Sequence, residues 1–334
     1  MEVAKAYVRD GNEPAAVKAV NDLISRFADQ PSLPTQIVFV GDTYAQAKKY
    51  DQANQLYKHV CDHWPKDEQT LWAKTGQARV CIAKCDDEAA EGILHKMVMD
   101  YASHPRLAEA VNLIALGCYE RARSHQGAGQ STCGDGYRQA LKVWAIVMRD
   151  LPPSLDVAQA CYHSGVVYDQ ELQEHEQALQ CYQRVAESWP DYEHAWHAWF
   201  SVGQYYEKLK REGAISRDEA DAQIAKAYRT VTERYPDCRY AGYAALRLGQ
   251  LLYEQGQWVE AAKSLERFLE ERASGDLDQK LGVLFHLSVL YDRMGEKDAA
   301  EQVRRQFREA ARPDDPRLGL LDGRATIEER EVRK

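Results

Sequence analysis

"IVFVGDTYAQAKKYDQANQLYKHVCDHWP", residues 37–65, contains two segments in which apolar side chains recur every three or four positions. That spacing is typical of amphipathic helices, so we expect two helices joined by a short turn. Gly41 in the first segment and Ala53 in the second are small, which lets the two helices cross closely. Tyr57, one turn later, would fill the space between neighbouring hairpins, and Pro65 ends the second helix because proline cannot continue it. The stretch therefore predicts one helical hairpin.

The interval of eight residues from an aromatic side chain to a proline recurs along the chain. It is the same from Tyr57 to Pro65, Trp144 to Pro152, Tyr182 to Pro190 and Tyr228 to Pro236. A small residue marks each copy of the unit: Gly41, Gly76, Gly117, Gly165, Gly203, Gly249 and Ser288. We find no convincing strand-like alternation. Repeated hairpins that bury their apolar faces only against their neighbours form a solenoid, so the sequence predicts an all-α fold of the α-solenoid type.

This order of residues resembles the tetratricopeptide repeat, whose signature is W-x2-L-G-x2-Y…A-x3-F…P over about 34 residues. The Gly41 unit matches it most closely, and Trp72 and Trp199 stand in the tryptophan place of their units. The Gly76 unit departs from the pattern, with Arg79 where an aromatic residue is usual, and the last unit has Ser288 in place of glycine. The resemblance implies a right-handed superhelix of about seven to eight helical hairpins.

We expect one solenoid over residues 1–311, followed by a C-terminal cap or flexible tail over residues 312–334. Its approximate units are residues 1–31, 34–67, 69–105, 107–152, 155–190, 193–236, 239–275 and 278–311. The first unit begins partway through the pattern, which suggests that an upstream portion is missing. Two insertions, near residues 121–139 and 208–223, are expected at the edges of the solenoid, because packed helical faces cannot absorb them.

The charge and hydropathy of the chain exclude two classes of partner. A formal net charge of -9 and a pI of about 5.6 would repel a polyphosphate, so we expect no nucleic acid. No run approaches the roughly 18 apolar residues that a membrane span requires. The N-terminus lacks the basic and apolar layout of a secretory signal. We therefore expect a soluble protein, cytoplasmic, or periplasmic or envelope-associated if the chain is a fragment without its leader.

Two residue pairs have the helical spacing of metal ligands. His59 and His63, and likewise Cys81 and Cys85, are four residues apart and would share a helix face. The sequence does not determine whether these two faces meet. His194 and His197 are three apart, but zinc needs at least three protein ligands and no third is adjacent. We therefore predict no metal site and no cofactor.

A superhelix of this kind has an inner surface lined by the first helix of each hairpin. Residues three before, one after and four after the small residue of each unit share one helical face. His197 lies one helical step earlier on the same flank. The candidate residues of the peptide-binding groove are Val38, Asp42, Gln77, Arg121, Tyr162, Asp169, His197, Phe200, Gln204, Glu207, Leu246, Gln250, Tyr253, Phe285 and Asp292.

The resemblance implies a non-catalytic scaffold that binds a peptide or helical segment of another protein in its concave groove. Tetratricopeptide proteins that hold the acidic C-terminus of a chaperone carry lysine and asparagine at inner positions where this chain has Val38 and Asp42, so that clamp is missing. Because aromatic faces and carboxylates both attract cations, we expect the partner to offer apolar and basic residues. Residues 234–271, "RYPDCRYAGYAALRLGQLLYEQGQWVEAAKSLERFLEE", are similar to repeats of bacterial envelope-assembly and lipoprotein-associated proteins. The sequence leaves the oligomeric state open.

Two other classes of function remain open at this point. One is an enzyme built as a closed ring of helical hairpins, in which Asp42, Asp169, Glu207 and Asp292 would converge for general acid and base catalysis. The other is a purely structural spacer, which would have neither a pocket nor a retained peptide on its inner face.

Overall fold

The computed structural model describes residues 1–127, 133–271 and 277–321, and in these ranges the chain forms α-helices, one π-helical turn and short connections. No strand occurs among them. The predicted all-α fold is therefore confirmed. Contacts divide the chain into two compact units, Met1–Glu174 and His175–Lys334.

The first unit consists of four hairpins and one further helix. The hairpins are α1 (Glu2–Arg9) with α2 (Glu13–Arg26), α3 (Leu33–Gln46) with α4 (Tyr50–His63), α5 (Gln69–Ala83) with α6 (Asp87–Asp100), and α7 (Leu107–Gly127) with α8 (Cys133–Asp150). Helix α9 (Leu155–Val166) follows and continues directly into the π-helical turn Val167–Glu171.

The second unit begins with one helix and contains three hairpins. Helix α10 (His175–Ser188) precedes α11 (Ala195–Glu212) with α12 (Arg217–Arg234), α13 (Ala241–Glu254) with α14 (Trp258–Glu271), and α15 (Leu277–Met294) with α16 (Lys297–Ala310). The short helix α17 (Arg317–Leu321) comes last. The predicted hairpin over residues 155–190 lies across the division between the units, so its two helices are described separately.

Successive hairpins stack in the same way within each unit. In the first unit, the first helices α1, α3, α5, α7 and α9 contact one another in chain order and so form a continuous layer. The second helix of a hairpin packs against the first helix of the next, as α4 does against α5. In the second unit, α12 packs against α13 and α14 against α15, and the first helices α13 and α15 contact each other. This stacking is that of an α-solenoid.

A single aromatic ring fixes the distance between two consecutive hairpins in the first unit. The Tyr57 side chain of α4 is 1% exposed. A Cβ atom placed on Gly41 of its own hairpin would lie 2.7 Å from Tyr57 Cε1, and one placed on Gly76 of the next hairpin would lie 2.4 Å from Tyr57 Cζ. In the second unit the Tyr228 ring is likewise buried, and a Cβ atom placed on Gly203 would lie 2.6 Å from Tyr228 Cε1. The sequence signature thus describes a ring packed directly on helix backbone.

The insertion at residues 208–223 lengthens two helices instead of forming a long loop. Helices α11 and α12 each have 18 residues. Gly213 closes α11 in the left-handed conformation at φ 69°, and the Ser216 hydroxyl caps α12 by accepting a hydrogen bond from the Glu219 N–H. The other insertion similarly extends α7 to 21 residues, and its residues 128–132 lie outside the described ranges.

Part of the predicted C-terminal cap packs on the last hairpin. The Arg317 guanidinium lies over the Phe307 ring, with 5.6 Å from its carbon to the ring centre, and pairs with Asp278 at 2.8 Å and Asp315 at 2.7 Å. These contacts hold the start of α17 against α15 and α16. Residues 322–334, which complete the predicted cap or tail, lie outside the described ranges.

The contact of Tyr57 with Gly76 predicts a large loss of stability in Gly76→Ala. The added methyl group would overlap a buried ring that has no space to move, at a cost of about 1–3 kcal/mol. Urea unfolding followed by circular dichroism measures this as a lower transition midpoint.

Gly92→Ala is the matched control for that substitution. Gly92 also lies within a helix, but a Cβ atom there would meet no other atom within 4 Å. Alanine should stabilise this exposed helical position by about 0.5–1 kcal/mol. Equal midpoints for the two variants would contradict the assigned role of the Tyr57 ring.

Candidate functional site

Within each unit, the predicted groove residues lie on the layer of first helices. Fourteen of the fifteen lie on α3, α5, α7, α9, α11, α13 and α15, and Asp169 lies in the π-helical turn after α9. Gln204 and Asp292 are exposed, and most of the others are half-buried. Val38 and Phe200 are each only 4% exposed. Those two side chains pack inside the layer, where a ligand on its surface does not reach them.

Asp42 supports the packing of the Tyr57 ring. The Tyr57 hydroxyl donates a hydrogen bond of 2.7 Å to Asp42 Oδ1. Burial raises the pKa of the Asp42 carboxyl above its ordinary value, and both this hydrogen bond and the positive charge of Arg79 oppose that rise. The same burial, together with the nearby Asp42 charge, raises the pKa of the Tyr57 hydroxyl. The Asp42 carboxylate is therefore half-buried and already accepts a hydrogen bond from another side chain of the protein.

Arg121 joins two consecutive hairpins. Its guanidinium forms a two-pronged ion pair with Asp87, at 2.7 Å and 3.1 Å, and also donates to the Ile82 carbonyl oxygen at 2.9 Å. These three bonds connect α7 to the last turn of α5 and the first residue of α6. Fixed planar pairing of this kind restricts the guanidinium strongly. Arg121 therefore acts within the fold, and its donors are not directed at a ligand.

Three further predicted residues of the first unit lie near the surface of the layer. Cys61 Sγ lies 3.9 Å from the Gln77 side-chain oxygen as a weak donor. Half-buried Tyr162 meets the ring of His163 edge-on, with 5.7 Å between ring centres. The backbone oxygen of Asp169 accepts a hydrogen bond of 2.9 Å from the Gln173 side chain. Among the predicted residues of the first unit, Tyr162 is the aromatic one, and its ring is half-buried.

A row of polar side chains crosses the three first helices of the second unit. Arg247 donates to both carboxylate oxygens of Glu207, at 2.8 Å and 2.6 Å, and to the Gln250 side-chain oxygen at 3.2 Å. Gln250 in turn lies 3.2 Å from His286 Nε2. The Glu207 carboxylate raises the pKa of the Arg247 guanidinium, while burial lowers the pKa of the His286 imidazole. This polar row links α11, α13 and α15.

A cavity of about 570 Å³ opens beside the polar row, at the lengthened end of the α11–α12 hairpin. Ile215, Ile224 and Leu251 form its apolar part. Charges of both signs surround it, and several are paired: Lys210 lies 2.6 Å from Asp221 and 3.5 Å from Glu254. Four basic side chains and two acidic ones line the cavity, so positive charge predominates there.

An aromatic cluster occupies the other end of the same helices. It consists of Trp196, His197 and Phe200 of α11 together with Tyr240 and Tyr243 at the start of α13. Tyr240 stacks on Phe200 with ring centres 4.6 Å apart and meets Trp196 edge-on at 5.6 Å. Tyr243 contacts Phe200 at 6.0 Å and remains 47% exposed. The cluster therefore has a buried base and an exposed ring at the surface.

Arg239 completes this surface. The carbon of its guanidinium lies 4.7 Å from the centre of the Tyr240 ring and 5.7 Å from the centre of the Trp196 ring. Contacts of this length between a guanidinium and aromatic faces are attractive. Arg239 is itself exposed.

The groove rule missed Tyr243, Arg247 and His286, although the repeat register could have found them. Tyr243 lies six residues before Gly249, as His197 lies six before Gly203. Arg247 and His286 each lie two residues before the small residue of their unit. Tyr240 precedes α13, so a rule based on helical spacing does not reach it. The contact between Tyr240 and Phe200 is therefore seen only in the structure.

The candidate metal ligands do not assemble into a site. The rings of His59 and His63 are 4.0 Å apart, but His63 Nδ1 is 2.9 Å from the His59 carbonyl oxygen. Cys81 is half-buried and Cys85 is exposed just beyond the end of α5. Across residues 1–127, 133–271 and 277–321, no group of three or more His, Cys, Asp or Glu side chains is placed to hold an ion. In the same ranges, no helix combines the length and the hydropathy that crossing a bilayer requires.

The stacked hairpins define a helical-repeat protein. The family model described as "Tetratricopeptide repeat" matches residues 159–192 and 243–273, so these two segments are tetratricopeptide repeats. Repeats of this family in general mediate interactions between proteins. No curated protein matches the chain.

Several solved structures are similar to the chain. MamA AMB-1 in crystal form P212121 is 20% identical, over 65% of this chain and 97% of that one, with a TM-score of 0.38. PilF of Pseudomonas aeruginosa is 15% identical over 90% and 97%, with a TM-score of 0.29. A tetratricopeptide repeat protein from Parabacteroides merdae ATCC 43184 is 12% identical over 86% and 97%, with a TM-score of 0.34. At these identities and scores the similarities carry no functional assignment.

The raised pKa of Asp42 predicts that Asp42→Asn stabilises the protein, and more so at high pH. Because folding raises this pKa, burying the ionised carboxylate destabilises the folded state at high pH. At low pH the carboxyl is protonated in both the folded and the unfolded state, and this cost disappears. Asparagine keeps the Oδ1 acceptor for the Tyr57 hydroxyl without the charge. Urea midpoints should therefore exceed those of the wild type at about pH 8 and approach them at about pH 4.

Asp150→Asn provides a control of opposite sign. The neighbouring Arg149 guanidinium lowers the pKa of the exposed Asp150 carboxyl. Removing the charge of Asp150 should therefore not stabilise the protein at neutral pH. It should instead cause the small loss of stability that is typical of a broken exposed ion pair. A gain for Asp42→Asn that is independent of pH would show that burial of the charge is not its cause.

Proposed function

We propose that this protein is a non-catalytic scaffold, and that the layer of first helices in its second unit holds a peptide or helical segment of a partner protein. The observation that carries the proposal is the aromatic cluster of the second unit, which opens onto that layer at Tyr243. A large aromatic ring that rests on other rings and is exposed on one side can anchor a ligand with little loss of conformational freedom.

The surface that would bind the segment combines Tyr243 with predicted residues that are partly exposed. These are His197, Gln204, Leu246, Tyr253 and Phe285, all of the second unit. Phe200 supports it from inside the layer. Aromatic and aliphatic contacts among amides are typical of the central part of a protein interface.

The sequence led us to expect a partner with apolar and basic residues. The carboxylates that would attract the basic residues are already paired, so only the apolar residues remain expected. Glu207 is held by Arg247, Asp42 accepts from Tyr57, and Asp292 pairs with Arg304. A carboxylate that is already paired gains less from a basic residue of a ligand, since one attraction replaces another. We therefore propose a partner segment defined by its apolar side chains.

The same pairing argues against the enzyme alternative. A general acid or base must lie within hydrogen-bond reach of the proton that it transfers, and a carboxylate already bonded within the protein is less available for this. Asp42, Glu207 and Asp292 each bind a neighbouring side chain of the protein. The exposed aromatic ring of Tyr243 likewise favours a binding role over that of an inert spacer, which has no use for it.

Tyr243→Ala combined with Tyr253→Ala should weaken capture of the partner at least about tenfold, since aromatic anchors dominate the energy of such interfaces. Both rings are partly exposed, so the melting temperature should stay close to that of the wild type. The measurement is affinity capture from the source cells with quantitative mass spectrometry, followed by titration of the captured protein.

Trp258→Ala is the matched control for this pair. Trp258 is 39% exposed and lies at the start of α14, a second helix outside the proposed surface. It should leave capture unchanged. The proposal fails if the double tyrosine variant retains the same proteins at wild-type affinity.

A further inference from the structure

We infer that Arg239 and the aromatic cluster together receive a partner segment in which an apolar side chain lies next to an Asp or Glu carboxylate. This inference rests on the proposed function and specifies the chemistry of the segment. It replaces the basic partner that the sequence alone suggested.

The first step in the argument is the orientation of Arg239. Its guanidinium lies against two rings, Tyr240 at 4.7 Å and Trp196 at 5.7 Å. Those two rings are themselves in contact at 5.6 Å. A guanidinium that packs on aromatic faces presents its N–H groups at its edge, and these match the two oxygens of a carboxylate. The rings thus orient the cation for an acceptor.

The second step is that this acceptor is missing from the protein itself. Across the described residues, no carboxylate lies within salt-bridge distance of Arg239. Two other arginines of the second unit are paired: Arg247 with Glu207 at 2.6 Å, and Arg234 with Asp191 at 3.1 Å. In a chain with a net charge of -9, an oriented and unpaired guanidinium is a local site of opposite sign.

The third step is the apolar surface beside the cation. Tyr243 lies one helical turn after Tyr240 and is 47% exposed, and both rings rest on Phe200. An apolar side chain of the ligand can therefore pack on Tyr243 while an adjacent carboxylate bonds Arg239. The N-terminal end of α13, where Tyr240 provides no side-chain cap, adds a partial positive charge of the same sign.

The test uses a random dodecapeptide library displayed on phage, selected against the purified full chain and read by deep sequencing. Peptides enriched by the wild type should carry an aromatic or large aliphatic residue next to Asp or Glu, with acidic residues enriched about fivefold over the input library. Arg239→Glu should reverse this preference towards Lys and Arg, and Arg239→Gln should abolish it. Tyr243→Ala should reduce the enrichment of the apolar residue.

Arg211→Glu serves as the matched control, because Arg211 is an exposed arginine near the opposite end of α11. It should retain the acidic preference of the wild type. Enrichment of apolar peptides without any acidic preference, or an acidic preference that Arg239→Glu leaves intact, would overturn the role of Arg239 and leave the scaffold proposal standing. No enrichment of any peptide would overturn both. Melting temperatures of all variants are measured first, and Arg239→Gln decides the question if Arg239→Glu is unfolded.

Discussion

The structure depends on the contact between an aromatic ring and the backbone of a neighbouring helix. Tyr57 lies between Gly41 and Gly76, so one side chain determines both how its own hairpin closes and how the next hairpin stacks on it. No larger residue fits at either glycine without moving a ring that is buried on all sides. Because each hairpin is held only by its neighbours, a few contacts of this kind determine the geometry along the unit. These contacts between ring and backbone therefore also set the spacing of the first helices.

The fold could be read from the sequence because its determinants are local and repeated. The interval from Tyr57 to Pro65 returns three more times, and each return places a helix end and a buried ring. Where the pattern is weaker, the packing is looser as well. Gly117 faces Arg79, the residue that replaces the usual aromatic, and a Cβ atom on Gly117 would lie 3.6 Å from Arg79 Cγ, which is an ordinary contact. The insertions were located correctly in the sequence, but their helical form was not anticipated.

The candidate site was only partly predictable, because burial and pairing depend on neighbours that lie far apart in sequence. Equivalent positions behave differently: Val38 and Phe200 are buried, whereas Phe285, at the same place in its unit, is half-buried. Arg121 was expected to face a ligand, but Asp87, 34 residues earlier, occupies its donors. The carboxylate of Glu207 similarly finds Arg247, 40 residues later. Helical spacing identifies a face, and only the assembled structure shows which of its charges are still free.

The lengthened α11–α12 hairpin leaves one end of α11 projecting beyond the neighbouring first helix, α13. Helix α11 has 18 residues against 14 in α13, and both begin at the same place relative to their glycines, so α11 extends beyond α13 by roughly 6 Å at its C-terminal end. A straight rod laid across the first helices at that end would meet this overhang and tilt. Near the aromatic cluster, at the opposite end, α11 and α13 start level with one another. The end of these two helices that carries the aromatic rings is therefore the level one, and the overhang of α11 is confined to the end that carries the cavity.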